Sequence, residues 1–284
     1  MRCVGKPPLP WWLTSNRYPV KEKSMDLTYG DYLKIDELLD LQQCLSDGPE
    51  HDEMLFIIIH QVYELWFKQV LHEADQLAVY ITEGEPARGS HQLKRILKIF
   101  KTLVGQLDVL ETMTPLEFVS FRDFLDSASG FQSAQFRELE YLLGLKDPQH
   151  LAHFADRPKE LRRLEDRFGA PSLWDAFLRY LANEGSAVPQ EILDRDVTQP
   201  TESSPEVQAI LLDAYRNRPD IAQLCESLTD LDEGLQEWRY RHVKMVQRTI
   251  GAKMGSGGSL GVEYLQATLF NPVFPDLWII RTEF

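Results

Sequence analysis

The chain has 284 residues, 43% of them hydrophobic and 26% charged, which is length and apolar content enough for a sizeable core. Thirty Lys and Arg against 44 Asp and Glu leave a formal charge of −14, which disfavours nucleic acid and anionic membrane as partners. The longest apolar run, residues 54–59, is far short of a membrane span, and the composition excludes a disordered tail, a collagen and a small disulfide scaffold.

Residues 1–26 hold four prolines and little periodicity, and read as an extended arm. Trp11, Trp12 and Tyr18 are costly to leave in water, so the arm is expected to pack on the body or on a partner subunit. Pro7, Pro8 and Pro10 break any signal-peptide apolar stretch. The three cysteines, Cys3, Cys44 and Cys225, form neither C-x-x-C nor zinc spacing. Both features lead to the expectation of a cytoplasmic protein.

The remainder, 27–284, reads as one domain. Leu33, Ile35, Leu38, Leu39 and Leu41 predict a first helix over 28–42, followed by the turn Asp47-Gly48-Pro49. The longest clean helical stretch is 52–81, with Asp52 as N-cap. A broad apolar stripe predicts a helix over 91–110. Pro115 opens another over 116–125, and a Ser/Gly break precedes one over 131–145. Residues 146–205 carry six prolines between short amphipathic pieces at 159–168 and 173–183, and read as a small helical insertion. Helices are predicted again over 206–217 and 219–250, the latter stopped by Gly251. Residues 251–261, with five glycines, read as a loop. The tail, with Phe270, Phe274, Leu277, Trp278 and Ile279, is apolar enough to dock. Strand signals are almost absent, so the fold class is all-α, a bundle of long antiparallel helices.

Few residues offer chemistry. His60 lies deep in the 52–81 helix, with Phe56 one turn before it and Tyr63 and Phe67 after it. It is either a hydrogen-bonded core histidine or a polar group set over a flat aromatic ligand. His242 repeats the situation, with Trp238 one turn before it. Two buried histidines on long helices, without thiolates, suit a haem, one imidazole as axial ligand and the other facing the open side. Arg122, flanked by Phe121 and Phe124, needs an anionic partner, either a structural carboxylate or a substrate carboxylate. The 255–261 loop fails as a dinucleotide fingerprint and as a P-loop, which leaves a lid or a plain connector.

The segments LTYGDYL at 27–33, HDEMLFIIIHQ at 51–61, ELWFK at 64–68, LETMTP at 110–115, SGFQS at 129–133 and WRYRH at 238–242 follow one another in order. Together with Phe121-Arg122 and the glycine loop, they resemble the tryptophan 2,3-dioxygenase family over roughly 27–145 and 206–270. The resemblance implies a helical bundle enclosing haem b, with O₂ as co-substrate, and cleavage of the indole C2–C3 bond of L-tryptophan to give N-formyl-L-kynurenine. It implies His242 as iron ligand, with Trp238, Ser129 and Gly130 around the haem. It implies His60 as acceptor for the indole N–H, Phe56, Phe118 and Leu125 as pocket wall, and Arg122 as carboxylate clamp. Ser256 falls at the substrate's amino-acid end. Tyr29, Tyr32 and Leu33 fall on wall positions that a neighbouring subunit donates in a homotetramer. In the loop, Ser256 stands where the family commonly has Thr, and Leu260 where it has Ser. Those departures keep open an alternative, a monooxygenase on the same scaffold that makes a 2-oxindole.

Overall fold

The computed structural model describes residues 27–126, 128–251, 253 and 262–284. The expected arm over 1–26, with Ser256 and Leu260, lies outside the described residues. The chain divides into two units at Gln42/Gln43. In the first, Thr28 caps helix α1 (Tyr29–Leu33). Its hydroxyl accepts from Asp31 N–H, while the Asp31 carboxylate accepts from Thr28 N–H. Lys34 then adopts φ 56°, in the left-handed region, and separates α1 from α2 (Ile35–Leu39). The single helix predicted over 28–42 is therefore two short ones, and neither buries a residue.

The second unit begins with α3 (His51–Thr82), whose cap position is Glu50, two residues before the predicted Asp52. Glu53 braces the helix start instead. Its buried carboxylate accepts from the backbone N–H groups of Leu45 and Ser46 and from the Ser46 hydroxyl. Helix α4 (Pro86–Leu110) starts five residues earlier than the apolar stripe suggested, because Pro86 suits a first helical turn. Gly89 sits against α3, and a Cβ there would lie 2.9 Å from Leu77 Cδ1, so the glycine lets the hairpin close. Tyr63 OH donates to the Leu103 carbonyl, and Arg95 pairs with Glu73, which fixes α3 and α4 as antiparallel.

Thr114 and Glu117 form a capping box for α5 (Pro115–Arg122), which tightens into a 3₁₀ turn over Asp123–Leu125. A second 3₁₀ turn, Gly130–Gln132, precedes α6 (Ala134–Leu142). Ser133 caps α6 and splits the helix predicted over 131–145. The proline-rich segment holds α7 (Gln149–Ala152), α8 (Pro158–Phe168), α9 (Leu173–Asn183) and α10 (Gln190–Leu193). Then come α11 (Pro205–Asn217), α12 (Pro219–Ile250), α13 (Val262–Ala267) and α14 (Pro275–Ile279). Gly251, at φ 63°, ends α12 as expected.

Helix α12 lies along α4 in the same direction, as the pairs Lys101–Glu237 and Arg241–Asp108 show. It is therefore antiparallel to α3, and the three long helices frame one core. Val70, Leu77, Leu93, Leu103, Phe177, Leu224 and Leu235 are fully buried there, each contributing roughly 1.5–3 kcal/mol of transfer free energy. Helix α8 packs on α6 and is tied to α3 by a two-pronged Arg167–Asp75 pair at 2.6 and 3.1 Å. Lys146 closes the α8 C-terminus by donating to the carbonyls of Arg167, Phe168 and Ala170. Burial pushes its pKa down to about 8. The tail docks through Phe274 and Leu277, while Phe270 is exposed and Trp278 and Ile279 remain partly so. Buried Asp232 holds the tail by accepting from the N–H groups of Val273 and Phe274 and from Trp278 Nε1. No strand occurs among the described residues, and no helix among them is long and apolar enough to cross a membrane.

Candidate active site

A cavity opens between α3, α4, α5, α6 and α12. Its walls are mostly apolar, with a few convergent polar groups, the usual make-up of a small-molecule site. Helical spacing brings Phe56, His60, Tyr63, Glu64 and Phe67 to it from α3, and Trp238, His242, Val243 and Val246 from α12.

His60 lines the cavity and its side chain is exposed. The protein mass around it pushes its pKa down, against a smaller upward pull from the Phe56 carbonyl and from Glu64. Nδ1 lies 2.7 Å from the Phe56 carbonyl oxygen, one turn back. A carbonyl only accepts, so Nδ1 carries the proton and Nε2 offers a lone pair. The Phe56 ring lies tilted by 38° against the imidazole, centroids 4.1 Å apart, with the Phe118 and Phe121 ring centroids 5.8 and 5.6 Å away. This end is largely aromatic, and the lining also includes Leu110, Met113 and Arg122.

His242 faces the same space. Burial pushes its pKa down to about 4, and the nearby His60 adds to the effect. The imidazole is neutral at physiological pH, the state that binds iron. Trp238 stacks on it at 5.2 Å and 13°, backed by Phe136 and Phe67. The Trp238 Nε1–H is buried with no hydrogen-bond partner among the described residues. The far wall is charged, with Arg137 from α6 and Arg239 from α12 both paired to Glu140.

The cavity thus gathers Phe56, His60, Phe118, Arg122, Ser129, Gly130, Trp238 and His242, eight of the residues singled out in the sequence. Leu125 is not in its lining and packs half-buried against the core. Tyr29, Tyr32 and Leu33 belong to the first unit, where all three are exposed. Sequence reasoning missed Glu64, Arg137, Glu140 and Arg239. Arg239 had a readable signal, its place three residues before His242 on one helix face. Glu140 had none, because its partner on α12 is 99 residues away.

The family model for tryptophan 2,3-dioxygenase matches residues 14–163 and 208–284. The chain belongs to this family. The matched stretches leave out 164–207, most of the segment read as an insertion. A tryptophan 2,3-dioxygenase of Herpetosiphon aurantiacus is 59% identical over 260 residues, covering 92% of this chain and 99% of the relative. Proteins of the same name from Anaeromyxobacter sp. strain K and Caulobacter vibrioides are 54% and 45% identical, each over more than nine-tenths of both chains. These relatives support the enzyme reading and do not favour the monooxygenase alternative.

Proposed function

We propose that the chain oxidises L-tryptophan with O₂ to N-formyl-L-kynurenine, as a haem-dependent homotetramer of the cytoplasm. One observation carries the reading: two imidazoles, His60 and His242, line one largely aromatic cavity together with Arg122. The donor set fits haem b. His242 supplies a neutral nitrogen, Trp238 a flat wall with an unanswered N–H, and the cavity a long apolar space. When bound, haem supplies O₂ binding and activation.

The chain's own residues select and orient the substrate. His60 Nε2, its lone pair fixed by the Nδ1 bond to Phe56, accepts the indole N–H. Phe56 and Phe118 pack the ring and keep water from it. The Arg122 guanidinium takes the carboxylate, and the Ser256 hydroxyl meets the amino-acid end. Ser129 and Gly130 border the cofactor, and Tyr29, Tyr32 and Leu33 complete the wall of a neighbouring subunit's site. The exposure of all three in the first unit supports that last role. Both oxygen atoms of O₂ enter the product, so the reaction needs no external reductant.

Mass spectrometry of the product formed from L-tryptophan and labelled O₂ tests the reading. Two labelled atoms in a ring-opened product are expected. One labelled atom, in an intact oxindole, would overturn it.

A further inference from the structure

Glu64 lines the cavity one helical turn after His60, and the roles assigned above make no use of it. Its partner comes from α6. The Gln135 amide Nε2 donates both to the Glu64 backbone carbonyl and to Glu64 Oε2, each at 2.8 Å. An amide nitrogen has two hydrogens, and here both are spent on one residue 71 positions away in the chain. A single bond would let the start of α6 pivot on α3. Two bonds in different directions fix its angle as well as its distance.

Gln135 stands two residues after Ser133, which ends the 3₁₀ turn Gly130–Gln132 and caps α6. Within the turn, the Gln132 and Ser133 N–H groups donate to the Ser129 and Gly130 carbonyls at 2.9 and 3.1 Å. The turn and the start of α6 therefore move together, and Ser129, Gly130 and Phe131 all line the cavity. From the proline-rich segment, Arg157 reaches the Gln132 carbonyl only at a long 3.4 Å. Gly130 has no left-handed φ, and among the described residues nothing beyond its chain neighbours lies within 4 Å of where a Cβ would stand. Neither backbone strain nor a described neighbour calls for a glycine there, so the turn presents bare backbone to the cavity.

We propose that Gln135 and Glu64 form a clamp that holds the Gly130–Gln132 turn against the His60 helix, and so sets the room for the indole ring between them. The inference rests on the tryptophan reading of the site and deepens it. Both side chains act through the turn and are positioning residues. A pocket of fixed width rejects a ring that is one methyl too wide, whereas a turn free to swing yields to it.

Hydrogen exchange of the full-length chain, followed by mass spectrometry over residues 129–136, reads the clamp directly. Gln135→Leu keeps the bulk and removes both donors, and should speed exchange there roughly tenfold, the equivalent of about one hydrogen bond. Glu64→Gln keeps both acceptors and should exchange at nearly the parent rate. The haem-loaded proteins are then titrated without O₂ with L-tryptophan and with tryptophan methylated on the benzene ring, and binding is read from the Soret shift. The parent should bind L-tryptophan roughly ten- to a hundredfold more tightly, the cost of one methyl too many in a fitted pocket. In Gln135→Leu that preference should fall roughly tenfold, and Glu64→Gln should keep it. If Gln135→Leu does not fold, Gln135→Asn, one methylene too short to reach both acceptors, carries the same comparison. Unchanged exchange or an unchanged preference in the folded variant overturns the clamp and leaves the tryptophan reading intact, as does a parent that binds both rings alike. A parent protein that binds neither amino acid overturns the tryptophan reading and this inference with it.

Discussion

Helices α3 and α12 are both 32 residues long, and each brings one histidine to the cavity, but they hold it differently. His60 is fixed by its own helix, whose carbonyl at Phe56 sets the tautomer and aims Nε2 at the cavity. His242 is held by stacking on Trp238, and among the described residues no hydrogen bond reaches its ring. A ring that must accept one bond from one direction is served by a local, directional constraint. A ring proposed to give its lone pair to a bound group is served by a flat wall and desolvation. The difference teaches that burial alone does not define a histidine's task, and that its fixed nitrogen does.

Removing His242 should break the comparison most completely. His242→Ala is expected to abolish haem retention, seen as absence of a Soret band in folded protein, and full occupancy would sink the ligand assignment. Arg122→Ala should leave haem in place and raise KM for L-tryptophan roughly a hundredfold, as expected for an orphaned carboxylate, with turnover at saturation changed far less. His60→Ala should also retain haem but lower kcat/KM roughly 10- to 100-fold, about one lost hydrogen bond. It should lose its disadvantage toward a substrate methylated at the indole nitrogen, which has no N–H to donate. A retained disadvantage would assign His60 to another role.

The smallest effect concerns the start of α3, which sets the register of Phe56 and His60. Burial pushes the Glu53 carboxyl up, but the donors from Leu45 and Ser46 outweigh it and hold its pKa below the ordinary value. A carboxyl lowered in the folded state stabilises fully above its unfolded pKa, and loses that contribution as pH falls through the folded one. Glu53→Gln should therefore cost about 1 kcal/mol at pH 7, since the amide keeps part of the hydrogen bonding, and progressively less below about pH 4. Denaturant unfolding of both proteins at the two pH values checks this, and a cost that grows in acid would contradict it.

Much of the fold was legible because its punctuation is local. The bounds of α9 and α12 match the sequence reading, with Gly251 stopping α12 as expected. The break at Lys34 was not legible, since neither glycine nor proline marks it and the apolar spacing runs through it. Ser133 was hidden in the same way, because a serine caps or continues a helix according to its backbone, which spacing does not reveal. In the site, His60, His242 and Trp238 were readable from helical periodicity. The Arg137–Glu140–Arg239 wall was not, because it joins α6 to α12 across a long stretch of chain.

The parallel course of α4 and α12 has a consequence for how the protein is made. Helix α4 ends at Leu110 and α12 starts at Pro219, so more than a hundred residues of synthesis separate them. At about 5–20 residues per second, the growing chain carries the α3–α4 hairpin for roughly five to twenty seconds before its neighbour emerges. Throughout that interval Leu97 and Phe100, which pack against Gly234, have no α12 to cover them, and His242 does not yet exist. The cavity is thus completed late in synthesis, and the nascent hairpin is the stage at which this fold most needs shelter.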